Sequence, residues 1–537
     1  MKRLHLIIIA AGIMISAASC KKWLDINTDP SLPQVGTAEI LLSPIQWHMS
    51  VGTANDYRFL FKTVQNWASQ NADNNWEMHG YEPTNDNGGT IWRMVYVNHG
   101  PNLQRLLDDA RANEKWSFAG IGYAIKAWGY QITTDLHGPI ILDQALDTSR
   151  LFFEYQDQPE VYARVREWCD SALACLSRTD RIDYTATLST ADIIYKGDKE
   201  KWKKFVYAVL AQQYSHLINK PNFATHYADS VVKYVDLSFA SAADDATVLS
   251  TNSGSSDANV FSPSAGSNLV NITATNAPQQ YTGRITQPIV SMLTGGVRGT
   301  PATNPKSSTD PRLSRMIPYN PTDSVYRGIV PTAGDPATPK RVPLVWGNPA
   351  TASAPFPGKY LYYGSTRYPI MSYSQLQFAK AEALFIKQDP GAAHEAYKNG
   401  ILGHMNFVNL YGTNTPGETK ISQSEINNYM GSSEVAQDPS ELQISDIMTQ
   451  KYIAQWGWAG METYNDLRKY EYDTAVFKQL YFYQPEDLYL SNKGEKSYRL
   501  RPRYNSEYVW NQKELAKWGG LDPAYNTKKT WAMTPDQ

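Results

Sequence analysis

Apolar residues recur at helical spacing in one long segment after another between residues 91 and 470, and that period confines the backbone to helices that must bury one face. Val95, Leu103, Leu106, Leu107 and Ala110 make a stripe over 91–113, where Pro101 is expected to divide or bend the helix. Trp116, Ala119, Tyr123, Ala127 and Tyr130 make a second over 115–134, which ends at the turn His137-Gly138-Pro139. Val161, Val165, Trp168, Ala172 and Leu176 mark 158–177, and Trp202, Phe205, Val209 and Leu217 mark 199–219. The spacing predicts four amphipathic helices arranged as neighbours in two pairs. At 373–387 and 390–402, Ala379, Ala383, Ala392, Ala396 and Tyr397 place small residues where two helices approach closely, as in a tetratricopeptide-type hairpin. A last pair is predicted at 440–457 and 460–470. Stacked hairpins bury each other's faces, and several are needed for a stable array.

The expected fold is therefore mostly α. Hairpins near 91–136, 158–219, 373–402 and 440–470 form a scaffold, with long irregular segments packed against it. Those segments, 247–360 and 478–537, are interrupted by stretches rich in Ser, Asn, Thr, Gly and Pro, yet they carry enough Val, Ile, Phe and Trp to pack as ordered loops. A short helix is expected near 511–517, after Trp510, and 37–537 reads as one continuous unit.

The first residues follow another logic. Lys2 and Arg3 precede an apolar run from Leu4 to Ile15, and Ser16-Ala17-Ala18-Ser19-Cys20 closes it. A run this short is a secretory signal and not a membrane span, which needs about 20 apolar residues. Residues 1–19 are expected to be the signal peptide, and Cys20, placed as in a bacterial lipobox, to be lipidated as the first mature residue. The mature chain would then be anchored to a membrane without crossing it. Residues 20–36 are polar and rich in turn formers, a tether. Asp25, Asn27 and Asp29 imitate the opening of a calcium loop, but Pro30 replaces its glycine and Gly36 its bidentate glutamate.

Composition narrows the partners. A formal net charge of −2 with no basic run argues against nucleic acid. Cys169 and Cys175 fall on one helix, six residues apart and so on divergent faces; two packed free thiols are expected, with no disulfide and no metal site. There is no His-Glu-x-x-His, no Gly-x-Ser-x-Gly and no glycine-rich phosphate loop, and none of the nine histidines clusters with cysteine. The expectation is a binding protein without cofactor, not an enzyme. His137 could suggest catalysis, but a turn after a packed helix accounts for it.

These pieces resemble the SusD/RagB-like outer-membrane binding lipoproteins. The likeness is carried by Cys-Lys-Lys-Trp-Leu-Asp-Ile-Asn-Thr-Asp-Pro at 20–30, Ile-Trp-Arg-Met-Val-Tyr at 91–96 with Asn102-Leu103, and Thr-Asp-Leu-His-Gly-Pro-Ile at 134–140. It continues through Gly-Asp-Lys-Glu-Lys-Trp-Lys-Lys-Phe at 197–205, Asp310-Pro311-Arg312-Leu313, and Arg-Tyr-Pro-Ile-Met-Ser-Tyr-Ser-Gln-Leu-Gln-Phe-Ala-Lys-Ala-Glu-Ala at 367–383. Gln-Lys-Tyr-Ile-Ala-Gln-Trp at 450–456 and Asn-Asp-Leu-Arg at 465–468 close the series. Where members of this family often carry Tyr-Gly, the chain has His137-Gly138. The resemblance implies a lipid-anchored protein on the outer face of the outer membrane. It would act as a hinged lid on a SusC-like TonB-dependent transporter, capturing an oligomer for import.

It also implies a ligand surface of aromatic platforms and amides in loops among the early helices. The matching stretch is 66–92, with Asn66, Trp67, Gln70, Asn71, Asp73, Asn74, Asn75, Trp76, Tyr81, Asn85, Asp86, Asn87 and Trp92; Trp67, Asn71, Asn74, Asn75, Trp76 and Tyr81 are the foremost candidates, and Trp346 is a second loop candidate. A sugar ring offers an apolar face for stacking and a rim of hydroxyls, so Trp beside Asn suits it. Trp67 shares helical spacing with Leu60 and Val64, and Trp92 lies in a helical segment, so both also fit the core. Oligosaccharide is the expected ligand and oligopeptide the alternative, since amides can pair a peptide backbone equally well; a surface glycoside hydrolase is the remaining rival.

Overall fold

The computed structural model describes residues 36–69, 71–251, 257–262, 283–335, 342–343, 345 and 358–536, so Cys20, the signal segment and Trp346 lie outside the described residues. Ten helices carry the scaffold. α1 (Ala38–Thr63) places Glu39 in its first turn and Lys62 in its last, each at the end its charge favours. α2 (Gly100–Ala112) takes Pro101 in its first turn, where a missing N–H costs nothing. The turns upstream, Thr90–Arg93 and the widened π-type Met94–His99, run into it without a break. The expected kink at Pro101 is thus resolved as a wide turn just before the proline.

α3 (Trp116–His137) is followed by α4 (Gln158–Leu176), whose cap Asp157 accepts from Gln158 N. α5 (Lys199–Ser215) is capped by Asp198, which accepts from Glu200 N and Lys201 N at 3.0 Å each. α6 (Ala228–Leu237) buries only Ala228, Val231 and Val235, too thin a stripe to have been read in the sequence. α7 (Tyr373–Ile386) and α8 (Pro390–Phe407) are capped by Ser372 and Asp389, and α9 (Ile444–Gln455) and α10 (Gly460–Lys469) complete the set.

The closest packing falls α3 on α4, α5 on α6 and α7 on α8, with α4 also against α5 and α6 against α7, so that hairpins layer in chain order. α9 closes on both members of the last hairpin. The small residues expected between α7 and α8 are there: Ala379, Ala383 and Ala396 are buried, and a β-carbon on Gly400 would lie 2.6 Å from the Phe378 ring. One apolar cluster runs from Ala38 to Ala532. Cys169 and Cys175 are buried free thiols. Among the described residues no helix is long and apolar enough to cross a membrane.

Among the described residues, strands are confined to two-stranded antiparallel ribbons, of which the first matters most here: Trp67–Ala68 pairs with Arg284–Ile285, Trp67 opposite Ile285. This corrects the helical placement of Trp67. α1 stops at Thr63, and Gln65 takes a φ of 60°, held there because its side-chain amide donates to Tyr481 O at 3.0 Å and accepts from Tyr481 N at 2.7 Å. The chain then turns out of the helix, and the Trp67 ring packs among Phe61, Phe261 and Tyr362.

Charge is also buried, in balanced sets. Lys451 and Lys469 bond Asp466 at 2.7 and 2.8 Å, and Lys469 bonds Glu382 at 2.7 Å, which ties α7, α9 and α10 together. Each cation there meets a carboxylate, the condition under which buried charge is tolerated.

Candidate functional site

A cleft of about 170 Å³ opens where the loop 80–88 meets the C-terminal segments 497–508 and 526. The loop is fastened at several points. Lys62 bonds Asp73 at 2.7 Å, and Glu77, buried, accepts from Thr332 N at 2.7 Å and from Ser69 N. Burial pushes the Glu77 carboxyl up to about 7 against those N–H bonds. Beyond the loop, Asp56 on α1 accepts from Thr90 N at 2.9 Å and Ile91 N at 2.7 Å, holding the start of the next helical run. Gly88 takes a φ of 81° with Trp76 against it: a β-carbon there would stand 2.8 Å from the indole.

Long-range bonds join the loop to the tail. Tyr489 N donates to Met78 O at 2.8 Å, and Asn492 and Asn526 both donate to His79 O at 3.0 Å. Arg503 bonds Asp86 at 2.7 Å. Arg501 lies 4.0 Å over the Tyr81 ring and 5.7 Å from the Tyr508 ring, and Tyr508 stacks on Tyr504 with centroids 5.5 Å apart. One wall of the cleft is thus a tyrosine–guanidinium–tyrosine stack. Amides line the other side: Asn85 and Asn87 donate to Glu82 Oε2 at 2.9 and 2.6 Å, and the buried Asn526 Oδ1 has no partner among the described residues. Among the described residues, Glu82 is the one carboxylate in the lining.

Of the residues singled out in the sequence, Trp76, Tyr81, Asn85 and Asn87 line this cleft. Trp76 is 2% exposed, so it forms floor more than platform, packed on Phe59 at 5.2 Å. Trp67, also 2% exposed, is core. Asn71 and Asn74 are exposed on the preceding loop and Asn75 is half-buried, its carbonyl turning the chain by accepting from Gly80 N at 2.7 Å; none of the three is in the lining. Trp92 is buried against Tyr96, His137 and Tyr155.

Arg501, Tyr504, Tyr508 and Asn526 were not anticipated. They lie in a tail read as irregular, although the alternation Arg499-Leu500-Arg501-Pro502-Arg503-Tyr504 is a pattern that could have drawn notice. Trp510, 72% exposed, precedes the short helix Gln512–Lys517, close to where one was expected. His137 ends α3 in a buried position: its Nδ1 lies 3.1 Å from Leu500 O, and burial lowers its pKa to about 4. Gly138 follows with a φ of 79°, the turn predicted for it. Among the described residues no group of three or more His, Cys, Asp or Glu side chains is placed to hold a metal ion.

Comparison with known proteins places this geometry in context. A SusD-like family model, described as starch-binding and associating with the outer membrane, matches residues 30–479. Among solved structures, a SusD/RagB family protein from Bacteroides thetaiotaomicron aligns with a TM-score of 0.66 at 20% identity, over 94% of this chain and all (100%) of that one. A chitin-binding protein aligns with a TM-score of 0.69 at 18% identity, over 93% of this chain and 100% of that one. A chitin-binding SusD homologue from Flavobacterium johnsoniae gives 0.65 at 18%, covering 93% and 99%. At these identities the likeness is one of fold, and it agrees with the mostly helical, hairpin-built architecture. No curated protein sequence matches the chain.

Proposed function

The chain belongs to the SusD-like family, and from that premise we propose that it is a cell-surface lipoprotein that captures oligosaccharides and delivers them, as a lid, to a SusC-like TonB-dependent transporter. Cys20 is the lipidated residue in this reading, and the outer membrane, facing outward, the location. The observation that carries the ligand assignment is the cleft itself. Tyr81, Tyr504 and Tyr508 provide ring faces, and Asn85, Asn87 and Asn526 provide amides for a rim of hydroxyls. The solved relatives described as chitin-binding support a glycan over a peptide.

Binding without turnover is part of the proposal. Glycoside hydrolysis needs two carboxyl groups flanking the bond, and Glu82 is alone in the lining, engaged by two asparagine amides. Asp56 and Glu77, whose pKa values burial raises to about 6 and about 7, spend their oxygens on backbone N–H groups outside the lining.

Titration calorimetry of the full chain against a glycan panel and a tryptic peptide mixture tests the reading. Glycan binding is expected, and Tyr81→Ala should weaken it about fivefold, the loss of one stacked ring worth about 1 kcal/mol. Binding of peptides alone, or release of shortened glycan on incubation, would overturn it.

A further inference from the structure

Most N–H and O–H donors around the cleft already have acceptors within the protein. Arg501 Nη1 donates to Tyr508 Oη at 2.7 Å and Gly520 O at 3.2 Å, and Nη2 to Asp522 O at 3.0 Å and Pro523 O at 2.9 Å. Asn526 Nδ2 gives its two hydrogens to His79 O and Asn492 Oδ1, both at 3.0 Å. The Tyr508 hydroxyl donates to Gly520 O at 2.9 Å, and Arg499 donates to Lys528 O at 2.7 Å and Tyr525 Oη at 3.3 Å.

One acceptor is different. The half-buried Glu82 has its Oε2 held by two donors of its own loop, Asn85 Nδ2 at 2.9 Å and Asn87 Nδ2 at 2.6 Å, so the side chain is fixed before any ligand arrives. Its Oε1 accepts no hydrogen bond and meets no cation within ion-pairing distance among the described residues, and it stays open to solvent. The other carboxylates of this stretch are engaged through both oxygens. Asp73 accepts from Lys62 Nζ at 2.7 Å and Asn75 N at 2.8 Å, Glu77 from Ser69 N and from Thr332 N at 2.7 Å, and Asp86 from Arg503 Nη2 at 2.7 Å and Asn505 N at 2.9 Å. A neutral carbonyl would fix two asparagine amides as well as Glu82 does, so a charged acceptor with one open oxygen is more than a loop brace. A carboxylate oxygen offers lone pairs and no hydrogen, so what fills it must bring the hydrogen.

We propose that Glu82 is the specificity-determining residue of the cleft, its Oε1 accepting hydroxyl hydrogens of a sugar unit, so that glycans with free hydroxyls are preferred to the same chains with those oxygens alkylated or acylated. The proposal rests on the glycan-capture reading above and names the ligand class within it. Each sugar hydroxyl brings a hydrogen, and a hydrogen bond to a charged acceptor is roughly twice as strong as a neutral one. An ether or ester oxygen brings none and sets its lone pairs against those of the carboxylate. The two asparagine amides hold the carboxylate in place beforehand, so little freedom is lost when the ligand binds.

Calorimetric titration of the full chain tests this. Neutral oligomers of xylan, cellulose, starch and chitin with free hydroxyls are titrated first, and the tightest binder is then compared with its per-O-methylated form. The free form should bind about tenfold tighter, as expected for a hydrogen bond to a charged group. Glu82→Gln keeps an oxygen for the Asn85 and Asn87 amides and puts an N–H where Oε1 stood, to which an ether oxygen can accept. Its melting curve should match the wild type, while affinity for the free oligomer falls about tenfold and the preference over the methylated form shrinks by a similar factor. Equal binding of the two forms by the wild-type chain would overturn the inference. A preference that persists undiminished in Glu82→Gln would overturn it too, because that is steric exclusion of methyl groups. Either result leaves glycan capture standing, whereas failure of every free oligomer to bind would overturn both.

Discussion

His216, at the end of α5, directs both ring nitrogens at carboxylates: Nδ1 lies 3.2 Å from Asp135 Oδ2 and Nε2 3.0 Å from Glu462 Oε2. Burial opposes the charged ring, but Glu462 and Asp135 outweigh it and raise the pKa from 6.5 to about 9. Because the folded value lies above the unfolded one, the stabilisation is fully present below pH 6.5 and is lost as pH rises through about 9. At about 1.4 kcal/mol per pH unit, that gap amounts to about 3 kcal/mol. Unfolding entropy of about 2 cal/mol/K per residue over 537 residues gives roughly 1 kcal/mol per degree of melting temperature, so the effect is about 3 °C. His216→Gln should melt well below the wild type near pH 6.5, since two buried carboxylates lose their cation, and the difference should shrink by about 3 °C by pH 10. Calorimetric melting of both proteins across this range measures the difference, in which the titrations of other lysines and tyrosines cancel. A gap that stays constant from pH 6 to pH 10 would mean the imidazole is neutral and the ion triad is not holding α3, α5 and α10 together.

Three other perturbations separate anchor, core and cleft. Trp67→Ala should cost about 3–5 kcal/mol through the cavity it leaves among Phe61, Phe261 and Tyr362, lowering the melting temperature without changing glycan affinity; a loss of affinity in the still-folded protein would return Trp67 to the binding surface. Gly400→Ala should destabilise by about 1–3 kcal/mol, because its methyl meets the Phe378 ring where α7 and α8 touch; an unchanged melting curve would show that the hairpin can open at that point. Cys20→Ala should move the protein from the membrane to the soluble fraction with ligand affinity intact, and persistence in the membrane fraction would dispose of the lipid anchor.

What was legible in the sequence was whatever is local. α3, α4 and α5 announce themselves through stripes of large apolar residues, and the α7–α8 hairpin through alanines that let two backbones close up. α6 was missed because three buried residues make no stripe. Trp67 was misplaced because the register of Leu60 and Val64 continues past the residue where the helix stops. That stop is imposed by Gln65 bonding Tyr481, a partner 416 positions away that no local rule contains.

The cleft was half legible for the same reason. Tyr81, Asn85 and Asn87 stand in a loop whose aromatic and amide content can be read directly, whereas Arg501, Tyr504, Tyr508 and Asn526 come from the far end of the chain. The contact Arg503–Asp86 spans 417 residues and the contact of Tyr81 with Pro523 O spans 442. Composition ranks tryptophan first as a sugar platform, yet Trp67, Trp76 and Trp92 are drawn into the core, where they bury most apolar area. The rings left at the cleft are tyrosines, which keep a polar edge toward water. Affinity then depends on how the tail holds those rings, so ligand binding should respond to changes around 519–529 that touch no ligand. Weakening that turn, for example by Tyr525→Phe, removes the hydroxyl that accepts from Arg499 at 3.3 Å. We expect it to reduce affinity a few-fold with little change in melting temperature, since a single hydrogen bond contributes about 1 kcal/mol. Unaltered affinity in that variant would show that the Tyr525 hydroxyl has no part in holding the tail against the cleft.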